Sequence, residues 1–230
     1  MVTLLGLVSL IAYLPTPYTR RKILSQALQQ KYTEFDDYLT GERDVDIRSE
    51  YIDGYIYAMA GASEQHNTIA GSLYANIEIN LRDGCRAWQS DMKVIGENKG
   101  KNFAYYPDIM AACGENTGNQ YARTNPLLIV EVLSPSTQRI DLAEKLENYK
   151  SIESLLEYVV VSQDTPFLRV FRRRSNWQSE AYYADDMLIL ESVGLEIKIE
   201  DIYRRVRKEV GLDVPYPMDK SKQKFLKDER

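Results

Sequence analysis

The sequence predicts an α/β fold, a mixed sheet of α+β type with helices packed against it. Two observations lead there. A run of helical period at residues 63–82 is followed by three stretches of strand character, a second helical run and a further strand, so helix, three strands, helix, strand occupies residues 63–161. Glycine, asparagine and lysine turns separate the strands, and no internal repeat is present. This order fits a mixed sheet better than a doubly wound dinucleotide fold.

Each element has its own signal. Leu28, Tyr32, Phe35 and Leu39 recur at helical spacing, and Thr33 to Tyr38 reads as a short capped helix. Residues 50–59 alternate around Asp53-Gly54, a hairpin turn. Ser63 is an N-cap, Glu64 suits the positive end of the helix dipole, and Ile69, Leu73, Ile77 and Leu81 form one apolar stripe. Residues 85–95, 103–112 and 127–133 then read as strands, the last a buried central one. Ile140, Leu142, Leu146 and Tyr149 restore a helical stripe over 139–150. Residues 158–161 and 168–172 are further strands, and 199–210 reads as a helix. The organisation expected is an apolar arm at 1–24, one domain at 25–210 and a charged tail at 211–230.

Composition narrows the function. The chain has 230 residues, 44% hydrophobic and 27% charged, with a net charge of -5, which argues against a surface coated in positive charge but leaves room for a local basic groove. The single histidine, His66, removes sites that need several imidazoles. Metal chemistry must therefore run mainly on carboxylates. Cys85 and Cys113 fall in expected strands as small buried hydrophobes, and reduced thiols of a cytoplasmic protein are the reading, a single bridge being possible but unneeded. The first nineteen residues carry no charge, but their apolar stretch, Val2 to Leu14, is too short to span a bilayer and lacks a basic leader, so no membrane partner is expected.

The chemistry gathers at three positions. Asp108 begins one strand and Glu131 ends the apolar run Leu127-Leu-Ile-Val130, where an ionised carboxylate is costly unless paired or metal-bound. If these strands are neighbours, the two acids converge on a hard divalent cation, Mg²⁺ or Mn²⁺. Lys145, on the helix that follows, supplies a cation beside an attacking water. Each also has a plain alternative: a turn cap for Asp108, an ion pair for Glu131, a solvated side chain for Lys145. His66 reads as a helix-terminal polar residue rather than a catalyst. Gly96 to Asn102 fails the spacing of a phosphate loop and reads as a hairpin turn. Lys93, Arg169 and Arg173 are candidate nucleic-acid contacts, with Arg169, Phe171 and Arg173 placed on one strand face.

Tyr106-Pro-Asp108-Ile, Pro126-Leu-Leu-Ile-Val-Glu131-Val-Leu-Ser-Pro-Ser-Thr137 and Asp141-Leu-Ala-Glu-Lys145-Leu-Glu-Asn-Tyr149 together resemble the Uma-type restriction endonuclease family of the PD-(D/E)XK nuclease superfamily. Ser49-Glu50 to Met59, His66-Asn67 and Glu157 to Val161 extend the resemblance over roughly residues 33–205. It implies a restriction-endonuclease-like core and metal-dependent hydrolysis of DNA. Asp108 and Glu131 would be the metal-binding acids, Lys145 the lysine moved onto the helix, and Glu50 an extra upstream acid. Leu133 stands where the superfamily lysine is usual. A homodimer is expected by analogy with nucleases that cut both strands. The alternative is a catalytically silent module of the same fold that binds nucleic acid or a protein.

Overall fold

The computed structural model describes residues 32–59, 61–116, 118–133 and 141–213. The expected arm at 1–24, Leu28, Thr137, Ile140 and most of the charged tail lie outside the described residues. Helix α1 (Phe35–Gly41) precedes strands β1 (Ser49–Ile52) and β2 (Tyr55–Ala58), joined as a hairpin through Asp53 and Gly54. Both turn residues have positive φ, 47° and 92°, the backbone that an Asp-Gly pair takes most readily. Helix α2 (Glu64–Asn80) follows, its Ser63 hydroxyl accepting the His66 N–H as the sequence predicts.

Next come β3 (Cys85–Gln89), β4 (Lys93–Asn98), β5 (Lys101–Tyr105), β6 (Ile109–Cys113), β7 (Ala122–Arg123) and β8 (Leu128–Leu133). A π-helical turn (Asp141–Lys145) runs directly into α3 (Leu146–Lys150). Then follow β9 (Glu157–Ser162), β10 (Phe167–Arg172), β11 (Ser179–Tyr183), β12 (Met187–Leu190), β13 (Leu195–Lys198) and α4 (Ile199–Ile202).

The strands build two sheets and a ribbon. One sheet has the order β2-β1-β5-β4-β7, the other β11-β10-β9-β8-β6-β3, and β12 pairs with β13. In the six-stranded sheet β8 and β9 run parallel on either side of the α3 crossover, while β6 is antiparallel to β8 and β3 to β6. The helix, three strands, helix, strand core is thus α2, β3, β6, β8, α3, β9, with the β4–β5 hairpin inserted into the other sheet. That hairpin turns at Lys99-Gly100, where the failed phosphate loop lies.

Each face of the six-stranded sheet buries its own core. Val130, Val132, Val159 and Leu168 pack under Ile69, Leu73 and Ile77 of α2, together with β12, β13 and α4. A fully buried aliphatic side chain contributes about 2 kcal/mol, so the α2 stripe anchors that helix firmly. On the opposite face Met110, Ile129, Tyr158 and Val160 meet Leu146 and Tyr149 of α3 and Val94, Phe103 and Tyr105 of the five-stranded sheet. The outer face of that second sheet is covered by Tyr38 of α1.

Several expectations are corrected. The stretch 85–95 is two strands, broken where Ser90 and Asp91 take positive φ. The stretch 103–112 breaks at Tyr106-Pro107-Asp108, where the chain passes from one sheet to the other. The expected helix at 199–210 ends at Ile202; successive turns close by bonds such as Val206 N–H to the Tyr203 carbonyl, and these also turn every third or fourth residue inward. Cys85 and Cys113 are half-buried and joined in a disulfide. Their positions 28 apart carry no pairing signal, but the β3–β6 register sets them directly opposite each other.

Candidate active site

The site lies where the two sheets meet. Continuing the β6–β8 register one step beyond Ile109 and Val130 sets Asp108 opposite Glu131. Glu131 shares the face of Ile129, turned toward the five-stranded sheet, whereas the Asp108 carboxylate, just before the start of β6, reaches the Val132 N–H and His66 of α2. Asp108 is held at both oxygens: Oδ2 accepts the Val132 N–H at 2.7 Å, and Oδ1 faces His66 Nε2 at 2.9 Å.

Glu131 is 4% exposed, and its Oε1 accepts from Lys145 Nζ at 3.1 Å and from the Tyr149 hydroxyl at 3.0 Å. Lys145 Nζ also lies 2.9 Å from Oε1 of Glu50, which comes from β1 in the other sheet. The same Glu50 oxygen accepts the Tyr106 N–H at 3.3 Å. One lysine therefore bridges acids from two sheets. Burial above all, and then the charge of Glu131, pushes the Tyr149 phenol well above its usual range, so it remains a donor.

Local sequence explains how Lys145 arrives there. The π-helical turn is wider than an α-turn, a form that recurs at functional sites, and it closes at Lys145. Tyr149 lies four residues on and shares its helix face. Leu133 lies two residues beyond Glu131 on the same strand face and packs partly against the core there. The strand offers a methyl-ended side chain at that point, and the helix offers the ammonium.

The structure brings Asp108, Glu131, Lys145 and Glu50 to one place. It does not do so for the expected nucleic-acid contacts. Lys93 is buried, its ammonium taken up by the Tyr106 hydroxyl at 2.9 Å, which in turn donates to Glu42, and burial holds its pKa below the ordinary lysine value. Arg173 lies past the end of β10 and donates to the carbonyls of Lys150, Ile152 and Leu155, so it binds the end of α3 to the sheet. Arg169 is exposed with its guanidinium 5.6 Å from the Phe167 ring, whereas Phe171 on the same strand face is buried. Lys93 and Arg173 thus hold the frame.

Two neighbours of the acids carried weak signals. His66 is three residues past an N-cap, but its contact with Asp108 exists only because α2 packs across β6 and β8. Tyr149 was legible only as part of an apolar stripe, although its spacing from Lys145 is the helical four.

The donors suit a hard cation. Mg²⁺ is commonly held by one or two carboxylates, with water and substrate phosphate completing its shell, and Asp108 and Glu131 would be the residues to supply them. Among the described residues no three His, Cys, Asp or Glu side chains form a ready-made cage. Any ion would be shared with solvent and substrate.

Acids from two sheets around a lysine, on a mixed sheet flanked by helices, define a protein of restriction-endonuclease-like fold. The chain belongs to the Uma2 family, whose description is "Putative restriction endonuclease" and whose model matches residues 33–200. It is similar to the uncharacterized protein slr1290 of Synechocystis sp. (strain ATCC 27184 / PCC 6803 / Kazusa), 34% identical over 175 residues that cover 74% of this chain and 90% of that protein. The uncharacterized protein sll1609 of the same organism is 35% identical over 132 residues, 55% of this chain and 73% of that one. Among solved structures, the crystal structure of a putative nuclease belonging to DUF820 from Anabaena variabilis ATCC 29413 superposes with a TM-score of 0.61 at 19% identity, covering 74% of this chain and 96% of that one. That likeness is one of fold.

Proposed function

We propose that this protein is a Mg²⁺- or Mn²⁺-dependent endonuclease that hydrolyses phosphodiester bonds of DNA. The observation that carries the reading is the Lys145 ammonium, buried between Glu131 and Glu50 at 3.1 and 2.9 Å with Asp108 one register step away. Asp108 and Glu131 would hold the ion, which supplies charge stabilisation on the phosphate and a more acidic water. Val132 N–H and His66 fix the direction of the Asp108 carboxylate. Tyr149 fixes that of Glu131. Lys145 favours proton loss from an attacking water and faces the negative charge that builds on the phosphate. Glu50 holds Lys145 in place and accepts a proton from that side of the site.

We further propose that the enzyme works in the cytoplasm, where its substrate lies and where the Cys85–Cys113 pair would stand reduced, and as a homodimer that brings one such site to each strand. Among the described residues no helix is long and apolar enough to cross a membrane. A second reading is favoured by Leu133: a silent module of the same fold, its lysine neutralised by two acids.

Plasmid DNA incubated with the purified protein should be nicked or cut with Mg²⁺ or Mn²⁺, and Asp108→Ala or Glu131→Ala should each lower the rate on the order of 10²-fold or more. Variants that cut as fast as the native chain would overturn the assignment. Calorimetric titration with Mn²⁺ separates the silent module, for which binding is absent or unchanged by Asp108→Asn.

A further inference from the structure

Arg123 is 4% exposed, yet among the described residues no carboxylate lies within ion-pairing distance of its guanidinium. Its Nε is buried without a hydrogen-bond partner, and Nη2 donates only to the Gly114 carbonyl at 3.1 Å. The other buried cations are provided for: Arg172 by Glu157, Lys145 by Glu131 and Glu50, and Lys93 by the Tyr106 hydroxyl that in turn donates to Glu42. A buried unpaired charge is costly, and packing alone does not call for one. The guanidinium lies 5.2 Å from the ring centre of Trp88. Arg86, exposed and on the same strand as Trp88, is close enough to act on Arg123 electrostatically.

The place of this group matters. Arg123 is on β7, the edge of the five-stranded sheet, and Trp88 is on β3, the edge of the six-stranded sheet, so their contact spans the same seam as the acids. Trp88 pairs with Met110, two residues beyond Asp108, which is about 7 Å along a strand.

We infer that Arg123, with Arg86 and the Trp88 ring beside it, takes a phosphodiester of the substrate strand that flanks the bond being cut. Nη1 of this guanidinium makes no hydrogen bond and, unlike Nε, is not sealed from solvent, so it can meet a phosphate oxygen, and the aromatic ring alongside offers a base a stacking face. The inference rests on the nuclease reading and names how its substrate is gripped.

The test is fluorescence anisotropy of labelled single-stranded and duplex DNA with the full chain, in EDTA so that nothing is cut. Arg123→Met should weaken binding about tenfold and lower the slope of log affinity against log salt by about 0.7–0.9, the value of one lost phosphate contact. Its melting temperature should be equal to or above that of the native chain, because an unpaired buried charge is gone. Arg86→Ala, on an exposed position, should weaken binding in the same direction. Native affinity in both variants overturns the proposal; if Arg123→Met fails to fold, native affinity in Arg86→Ala alone does so. Cleavage by the native chain together with unchanged affinity in the variants removes this inference and leaves the nuclease reading intact. A native chain that neither binds nor cuts DNA removes both.

Discussion

Lys145 is the residue on which the site's electrostatics turn. It is buried, and it separates two acids that would otherwise repel each other at close range. Lys145→Met should therefore destabilise the fold by about 3–5 kcal/mol, because it strands buried carboxylates rather than merely removing a pair. Adding Glu131→Gln should restore most of that loss, and urea melts of the single and double variants check both. At this scale much of the site was readable. Glu131 was readable because an acid that closes an apolar strand has few inexpensive roles. Lys145 was readable because a nuclease site needs a cation and Leu133 could not provide it. The contact of His66 with Asp108 was not, since no spacing links residues 66 and 108 until α2 is laid across the sheet. Arg123 gave no signal at all, for an unpaired arginine shows itself only once its surroundings are known.

At the scale of elements, turns with a glycine in the left-handed position announced themselves, as at Asp53-Gly54 and Lys99-Gly100. The break after β3 did not, because Ser90 and Asp91 adopt positive φ without glycine, held there by the bond from Ser90 N–H to the Asp108 carbonyl. That bond also places the turn against the site. The clearest miss is the Cys85–Cys113 bridge, whose partners became neighbours only through strand register. It closes a loop over a separation of 28 residues, for which chain entropy gives roughly 3–4 kcal/mol. Cys113→Ala, or the native chain under reducing agent, should melt several degrees lower in calorimetry, and the two conditions together should not add. Cleavage should survive at temperatures well below that melt, since the bridge lies at the end of β3 and β6 away from Asp108.

The whole molecule is rich in tyrosine, with seventeen in the chain, and several are buried in the layers around the two sheets. Burial raises the pKa of Tyr38, Tyr105, Tyr106, Tyr149 and Tyr203 above the ordinary value of 10. Below pH 10 these phenols are neutral in both folded and unfolded chains, so they make stability neither rise nor fall. Above it the unfolded chain ionises first, and stability is lost as pH climbs toward the raised values. Each such group contributes a slope of about 1.4 kcal/mol per pH unit in that window. Absorbance at tyrosinate wavelengths should therefore show a fraction of the phenols still un-ionised well past pH 10, released together with loss of circular dichroism; ionisation of all seventeen with the fold intact would contradict this.

The Tyr106-Pro107-Asp108 link hands the chain from one sheet to the other, and the acids it serves belong to both. Glu50 rides on one slab, Glu131 on its neighbour, and Lys145 is the rivet between them. A slight parting of the slabs would leave every strand paired and yet pull the proposed catalytic group into two incomplete halves. Mild denaturant should thus silence cleavage at concentrations where spectroscopy still reports an intact β-structure, so that turnover becomes the more sensitive gauge of how tightly the slabs are clasped.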